Sequence, residues 1–421
     1  QRHKAPWLPP GTMAIGNTVY ICGKSGDGAS CLGGNLDGKA SMCAPNSGGV
    51  CCAECDAGFL YKGGTCEKCT ETSKAGSLLL PLGGLAAVAA LVVKTFPREP
   101  VGILTRKTFL EGMHTDLLAS TFMFFVNLLQ TTWIFARSEA IKFPSALKYA
   151  FRGAGDVFDL SIFNTECTFS GNRKAYAITH AVVVNAFPFG PFFVLGLMYM
   201  IGRAGKKSAI GRHRFPDSAI AASTSLSILM SFFLVIVNAC VNTGFADYAH
   251  PNGERSLTSF PYILTTDTAS TSIRAVCLVG IFVWCVLGLS LVAYLLYKLP
   301  SKVNDIKFRR STLPMTSKFK PETPWWVLVQ MLLNLSIAMA QSLFQEAECQ
   351  IAWMTSCFML YQCLLLSYRP YCCPVTYYCD VASTFGKALI LTAAVPYQMT
   401  PDGKGTYVTA VAVVVYMVVI G

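Results

Sequence analysis

Cysteine is the residue type in this sequence whose number and spacing could support chemistry. Eight of the 18 cysteines lie within the first 69 residues. They are Cys22, Cys31, Cys43, Cys51, Cys52, Cys55, Cys66 and Cys69. The pairs at 52/55 and 66/69 have the form Cys-x-x-Cys, and four thiolates at this spacing could bind zinc. The even number of cysteines and the apolar segment that follows favour disulfide bonds in an oxidising compartment. We predict a disulfide-stabilised head over residues 1–72, and zinc remains the alternative.

The later cysteines suggest two further sites. Cys167, Cys240 and Cys349 are expected at or near the same face as the head, and two of them could form another disulfide, whose pairing the sequence does not define. Cys372, Cys373 and Cys379 lie in a short segment that we predict to be a cytoplasmic loop beside the membrane. S-palmitoylation is the hypothesis there, and ordinary reduced thiols are the alternative.

Two ionisable residues lie in or beside a single apolar segment. Lys387 is near the middle of the segment 381–398, and Asp380 precedes it by seven residues on the same helical face. A charged group inside a membrane is costly, and it therefore indicates a functional site. The alternative is that Lys387 pairs with a carboxylate or a backbone carbonyl of a neighbouring helix.

Amide side chains also repeat at helical spacing in two other apolar segments. Asn127 and Gln130 lie on the second segment, and Gln330, Asn334 and Gln341 lie on the sixth. Such polar stripes predict interhelical hydrogen bonds of about 1 kcal/mol each. A hydrated pathway between the two helices is the alternative.

Composition identifies the class of protein that must position these residues. The chain has 421 residues, of which 53% are hydrophobic and only 14% are charged, against roughly 25% charged in soluble domains. We predict an all-α polytopic membrane domain over residues 73–421, attached to the small disulfide-rich head. The nine predicted spans lie near 75–93, 117–136, 175–202, 218–246, 275–297, 325–345, 350–368, 381–398 and 407–421. Phe187-Pro-Phe-Gly-Pro191 predicts a kink in the third span.

Charge and cysteine content predict the same orientation. Lysine and arginine are concentrated in the short loops after the first, third, fifth and seventh spans, which is typical of cytoplasmic loops. Disulfides place the N-terminus outside the cell or in a lumen, and an odd number of spans places the C-terminus in the cytoplasm. The formal charge of +11 is therefore interpreted as contact with anionic lipid and not with nucleic acid.

No catalytic motif is present in the sequence. It has no Gly-rich phosphate loop, no GxSxG, no HExxH and only five histidines. We expect a protein that is not an enzyme and that needs no cofactor or metal. If a pore exists, the long acidic loop 247–274, with Asp247, Glu254 and Asp267, is the candidate for its mouth.

The segment Cys52 to Phe59, of the form Cys-x-x-Cys-x-x-Gly-Phe, resembles repeats of EGF-like and ephrin-receptor-like ectodomain modules. Leu128-Leu-Gln130, Phe143-Pro144, Asp156 to Phe163, Cys167 and Tyr368-Arg-Pro-Tyr371 occur in an order that resembles protist and algal membrane proteins, in which such a module precedes a TRP-like multi-span domain. This resemblance implies a cation-permeating or cation-sensing membrane protein, with the head contacting other proteins. An accessory subunit of a larger membrane assembly, without transport activity, is the alternative.

Overall fold

The computed structural model describes most of residues 7–69, parts of 126–143, and residues 173–205 and 218–399. The statements below concern these residues. The predicted spans near 75–93 and 407–421 lie outside the described residues, as does Cys167.

The described part of the head consists of short antiparallel strand pairs. They are β1 (Trp7–Leu8) with β4 (Gly34–Asn35), β2 (Thr12–Ile15) with β3 (Thr18–Ile21), β5 (Ser47–Gly48) with β6 (Glu54–Cys55), and β7 (Phe59–Lys62) with β8 (Thr65–Lys68). Such short hairpins bury little apolar surface and need cross-links to be stable. The head, for which the sequence predicted disulfides and no regular elements, thus contains strands, whereas the described residues after it are mostly helical.

Disulfides supply those cross-links. Cys22 is bonded to Cys31, Cys43 to Cys52, and Cys55 to Cys66. Cys69 is disulfide-bonded as well. All four cysteines of the Cys-x-x-Cys pairs are thus in disulfides, which leaves no set of four thiolates for the zinc alternative.

Cys51 corrects the prediction that all eight head cysteines are disulfide-bonded. It is a buried free thiol. The Cys51 thiol donates to the carbonyl oxygen of Ile21 at 3.3 Å and accepts the hydroxyl of Tyr248 at 3.5 Å. The adjacent Cys52 bonds to Cys43 instead, and an even count of cysteines could not reveal which thiol is satisfied by hydrogen bonds. Burial raises the pKa of Cys51 to about 11, so this thiol is protonated at neutral pH.

Helices make up most of the remaining described chain. Residues 126–135 form α1, followed by α2 (Arg173–Ala186), α3 (Phe189–Gly205), α4 (Ser218–Phe245), α5 (Thr268–Ile281), α6 (Gly288–Lys298), α7 (Ile306–Thr316), α8 (Trp326–Leu343), α9 (Ala347–Tyr368) and α10 (Pro374–Met399). A π-helical turn, Phe282–Leu287, joins α5 to α6. A hairpin of β9 (Asp247–Ala249) and β10 (Arg255–Leu257) follows α4, in a segment that the sequence analysis treated only as a loop.

Five of these segments are long and apolar enough to cross a membrane. They are Ala221–Phe245, Thr268–Lys298, Trp326–Leu343, Ala347–Tyr368 and Pro374–Val395. They coincide with five of the nine predicted spans. The predicted start of the last one was wrong, because it excluded Asp380, whereas α10 begins at Pro374 and includes that residue. Proline favours the first turn of a helix, where its missing N–H is not needed.

The third predicted span is two helices, α2 and α3, separated at Phe187 and Pro188. Proline removes a backbone donor and clashes with the preceding turn, so the predicted distortion is a break in the helix. The indole N–H of Trp284, in the π-helical turn, approaches the carbonyl oxygen of Asn185 near the end of α2 at 3.4 Å. A side chain from another helix thus partners a carbonyl beside the break.

Contacts among the segments that connect the helices divide these segments into two sets. The head contacts hairpin β9–β10, and Asp247 of that hairpin accepts the Gln345 amide at 3.1 Å, just after α8. The segments 318–320 and 370–372, which precede α8 and follow α9, pair with each other. Gln345 lies between α8 and α9, so the first set is at the ends of these two helices opposite to the ends that carry the second.

Gly244 on α4 marks a close helix crossing. A Cβ added there would lie 2.8 Å from the Cβ and 2.9 Å from the Sγ of Cys277 on α5. Gly244→Ala is therefore expected to lower the free energy of unfolding by about 1–3 kcal/mol, as overpacking does elsewhere. Gly196→Ala in α3 is the matched control, because nothing lies within 4 Å of a Cβ at Gly196. Equal effects of the two substitutions on thermal unfolding in detergent would contradict the prediction.

Candidate intramembrane polar site

Asp380 lies inside the helix bundle and is surrounded by hydroxyl groups. The hydroxyl of Tyr361 on α9 donates to Oδ2 at 2.6 Å, and that of Tyr371 donates to the same oxygen at 2.7 Å. Thr384, one turn along α10, lies 3.4 Å from Oδ1. Asp380 is 6% exposed. Within the described part of the chain no basic side chain forms a direct ion pair with it.

Helix α8 supports the two tyrosines. The Nε2 of Gln330 donates to the hydroxyl of Tyr371 at 2.7 Å and lies 3.3 Å from that of Tyr361. The indole N–H of Trp326 donates to Tyr361 at 3.2 Å. A phenol can accept with its oxygen while it donates its hydrogen. The tyrosines therefore connect the carboxylate on α10 to amide and indole donors on α8, and the bonds in such a chain reinforce one another.

Backbone pairing outside the helices places Tyr371. Helix α9 ends at Tyr368, the next residue Arg369 has a left-handed conformation, and Pro370 prevents continuation of the helix. The N–H of Lys320 then donates to the carbonyl oxygen of Pro370 at 2.8 Å, and the N–H of Cys372 donates to that of Lys318 at 3.0 Å. Burial and the nearby carboxylate raise the pKa of Tyr371 well above its ordinary value. The phenol therefore keeps its proton and acts as a donor.

Lys318 adds a positive charge near this carboxylate. Burial lowers the pKa of Lys318 to about 8, and attraction to Asp380 offsets part of that effect. Because desolvation is the larger cause, this lysine is less readily protonated than an exposed one. The site thus combines a carboxylate, two phenols and a nearby amine, at the bundle end that carries segments 318–320 and 370–372.

Lys387 belongs to a second polar cluster on α10. Its Nζ donates to Oδ1 of Asn127 on α1 at 2.8 Å, and Nδ2 of Asn127 lies 3.4 Å from Oδ1 of Asn334 on α8. Lys387 is 5% exposed. Its partner is therefore a side-chain amide oxygen, and not the carboxylate or backbone carbonyl that the sequence analysis considered. Seven residues place it about 10 Å along the helix from Asp380.

The remaining predicted amides also bridge helices. Gln130 on α1 donates to the carbonyl oxygen of Ser231 on α4 at 3.0 Å. Gln341 on α8 donates to that of Ile134 on α1 at 3.2 Å. The predicted polar stripes therefore form interhelical hydrogen bonds, and α1 is joined by them to α4, α8 and α10.

In the structure, Asp380 and Gln330 belong to one polar cluster. Lys387, Asn127 and Asn334 belong to the second. Sequence reasoning missed Tyr361, Tyr371 and Trp326, which complete the site. Aromatic residues near helix ends look like interfacial anchors in a sequence, because tryptophan and tyrosine are common there. Tyr371 offered one signal, its place directly after Arg369-Pro370, where a helix must end.

The cysteines outside the head are free thiols in the described part of the chain, which corrects the proposed additional disulfide for Cys240 and Cys349. Cys379 lies within α10 and not in a loop. Cys372 is exposed and Cys373 is partly exposed, directly before α10. Hydrogen bonding from the backbone N–H of Thr376 lowers the pKa of Cys373, so this thiol is the more readily ionised of the pair at the predicted palmitoylation site.

The acidic residues proposed for a pore mouth are engaged within the chain. Asp247 lies 3.7 Å from Arg274 and 3.9 Å from Arg255. Asp267 pairs with Lys174 at 3.3 Å, and Glu254 accepts the hydroxyl of Tyr20 at 2.9 Å. These contacts join the loop to α2, to α5 and to the head.

Comparison with known proteins found no family model, no curated protein and no solved structure that matches this chain. The site must therefore be interpreted from its own chemistry. A buried carboxylate among neutral donors can take up a proton or a small cation, and the lysines at either side set the electrostatic cost of doing so.

Proposed function

We propose that this chain is a non-enzymatic integral membrane protein, TRP-like in organisation, that permeates or senses cations. The observation that supports the proposal is Asp380, a buried carboxylate on a membrane-length helix. Ionisable groups at such positions are costly and are associated with ion and proton pathways.

The bonding of Asp380 favours a site for a cation. Its described hydrogen-bond donors are neutral hydroxyls, and Lys387 bonds to Asn127 instead. The carboxylate is thus solvated by dipoles without a direct countercharge. The negative charge of Asp380 is not neutralised by a direct ion pair within the described residues. It can therefore attract a cation that binds at Oδ1.

The proposed orientation has the head and hairpin β9–β10 outside the cell or in a lumen. Disulfides of the head require an oxidising compartment. The opposite set includes segment 318–320, which contains Lys318 and Lys320 and follows the basic helix α7. Positive charges of this kind are typical of the cytoplasmic face. The head then offers a surface to extracellular or lumenal proteins.

Purified full-length chain in liposomes tests the function. We expect a cation flux that Asp380→Asn reduces at least about tenfold, as loss of one buried charge contact of more than 1.4 kcal/mol would do. Glu322→Gln is the matched control, because it removes one exposed carboxylate and should leave the flux unchanged. A cation-dependent rise in melting temperature that Asp380→Asn abolishes, without flux, would identify sensing.

An accessory subunit is the second candidate, and the broad apolar face of α5 and α6 favours it. Exposed residues along this face include Leu278, Val279, Phe282, Leu291 and Tyr297. In a membrane this face contacts lipid or the helices of a neighbouring subunit. Liposomes that stay impermeable to cations, with abundant folded protein and no cation-dependent change in melting temperature, would support this candidate and overturn the first.

A further inference from the structure

One histidine lies at the centre of the contact between the head and hairpin β9–β10. His250 follows β9, is 4% exposed, and lies between the rings of Tyr20 in the head and Tyr248 in β9, at centroid distances of 5.2 and 4.9 Å. The N–H of Ile21 in β3 points to Nδ1 of this ring at 3.3 Å, and Oγ of Ser256 in β10 lies 2.7 Å from Nε2. Both the head and the hairpin therefore bond to the same ring.

These contacts define the protonation state of His250. A backbone N–H can only donate, so Nδ1 must carry a lone pair. The ring hydrogen is then on Nε2 and is donated to Ser256. A second proton could enter only at Nδ1, where the new N–H would face the N–H of Ile21. Docking of the head thus requires the neutral ring.

Other ionisable groups surround this contact. From the head, the hydroxyl of Tyr20 donates to Glu254 at 2.9 Å, and the Cys51 thiol accepts a hydrogen bond from the hydroxyl of Tyr248. Farther along the hairpin, Asp247 is paired with Arg255 and with Arg274 of α5. A separate ion pair joins Glu54 of the head to Arg173 of α2 at 3.1 Å. Glu254 is thus the carboxylate nearest to His250, and it would attract a proton.

We propose that His250 is a pH-sensitive latch, whose protonation releases the head from hairpin β9–β10 when the surrounding compartment becomes acidic. The proposal rests on two observations. The ring is hydrogen-bonded to the head at Nδ1 and to the hairpin at Nε2, and it is buried between them. It does not depend on whether the chain conducts cations.

The direction of the pH effect follows from the state of the ring. Burial lowers the pKa of His250 in the docked state, and attraction to Glu254 opposes this only in part. Docking is therefore fully favoured above the ordinary histidine pKa of about 6.5. Below that pH the undocked ring takes up a proton that the docked ring does not, so docking weakens by up to about tenfold for each pH unit.

Hydrogen–deuterium exchange of the full-length protein in detergent or nanodiscs tests the latch. With intrinsic exchange rates corrected, the amide of Ile21 is expected to open about tenfold more often at pH 5.5 than at pH 7.5. Peptides from α4 serve as an internal reference for global unfolding. Alkylation of Cys51, followed by mass spectrometry with a reagent that reacts at both pH values, gives a second readout of undocking.

Two variants make the test specific. His250→Asn retains an acceptor for the N–H of Ile21 but cannot be protonated, and its exchange should not depend on pH. His180→Gln is the control, because it removes a half-buried histidine of α2 that packs on Tyr176 and Phe260, and the pH dependence should persist. Equal opening of wild-type Ile21 at both pH values would overturn the proposal, and this measurement needs no variant. A pH dependence that survives in His250→Asn, or that disappears in His180→Gln, would overturn it as well.

Discussion

Asp380→Ala is expected to cause a severe loss of stability. The substitution leaves the hydroxyls of Tyr361 and Tyr371 buried without the acceptor that they share at 2.6 and 2.7 Å. Each buried donor without an acceptor costs about 1–3 kcal/mol. We therefore expect a decrease of about 4 kcal/mol in the free energy of unfolding, measured by denaturant or thermal unfolding in detergent.

Asp380→Asn separates hydrogen bonding from charge. The amide oxygen can still accept a hydroxyl, so this variant should lose no more than about half as much stability, in line with the smaller net value of a neutral hydrogen bond. Its cation response, in contrast, should be lost. An Asp380→Ala variant as stable as the wild type would show that the hydroxyls of Tyr361 and Tyr371 do not depend on Asp380 as their acceptor.

Trp326→Ala is the second substitution with a large expected effect. Trp326 is fully buried in the core of the bundle, its indole N–H donates to Tyr361 at 3.2 Å, and the two rings lie 5.5 Å apart. Truncation leaves a cavity beside the polar site. We expect a loss of about 3 kcal/mol, at the lower end for a buried tryptophan, because a helix that stays in lipid gains less from burial than one in water.

The neighbouring residue provides the control for this prediction. Trp325 is 37% exposed and lies beside Trp326 and Tyr368 at the same end of α8. Trp325→Ala removes the same atoms with much less loss of packing, so its unfolding midpoint should shift by less than half as much. Similar shifts for both tryptophans would show that the core position of Trp326 does not determine its contribution.

The two predictions concern one structural unit. Trp326, Tyr361, Tyr371 and Asp380 come from α8, α9, the segment before α10, and α10 itself. Residues in one hydrogen-bond network do not contribute additively. A double substitution of Trp326 and Asp380 should therefore cost less than the sum of the single losses, which a double-mutant cycle would measure.

Several features could be predicted from the sequence by local rules. Uncharged segments of about 20 residues must be helical in a membrane, because lipid offers no partner for backbone polar groups. This reasoning located all five of the membrane-length helices described here. The density of cysteines likewise predicted the disulfides of the head, since a segment so poor in apolar residues has no other source of stability.

The pairing of distant groups required the tertiary structure. Asp380 and Lys387 share a helical face, which suggests one site, yet their partners are Tyr361 and Tyr371 in one case and Asn127 in the other. His250 attracted no attention in the sequence, because a lone histidine in a polar loop is ordinary until Ile21 and Ser256 are found on its two nitrogens. Composition and periodicity therefore predicted the disulfides of the head and the positions of the five membrane-length helices. Only the packing of helices and head decided the candidate sites, because the path of the chain determines which side chains meet there, and several of the hydrogen bonds join residues more than 200 positions apart.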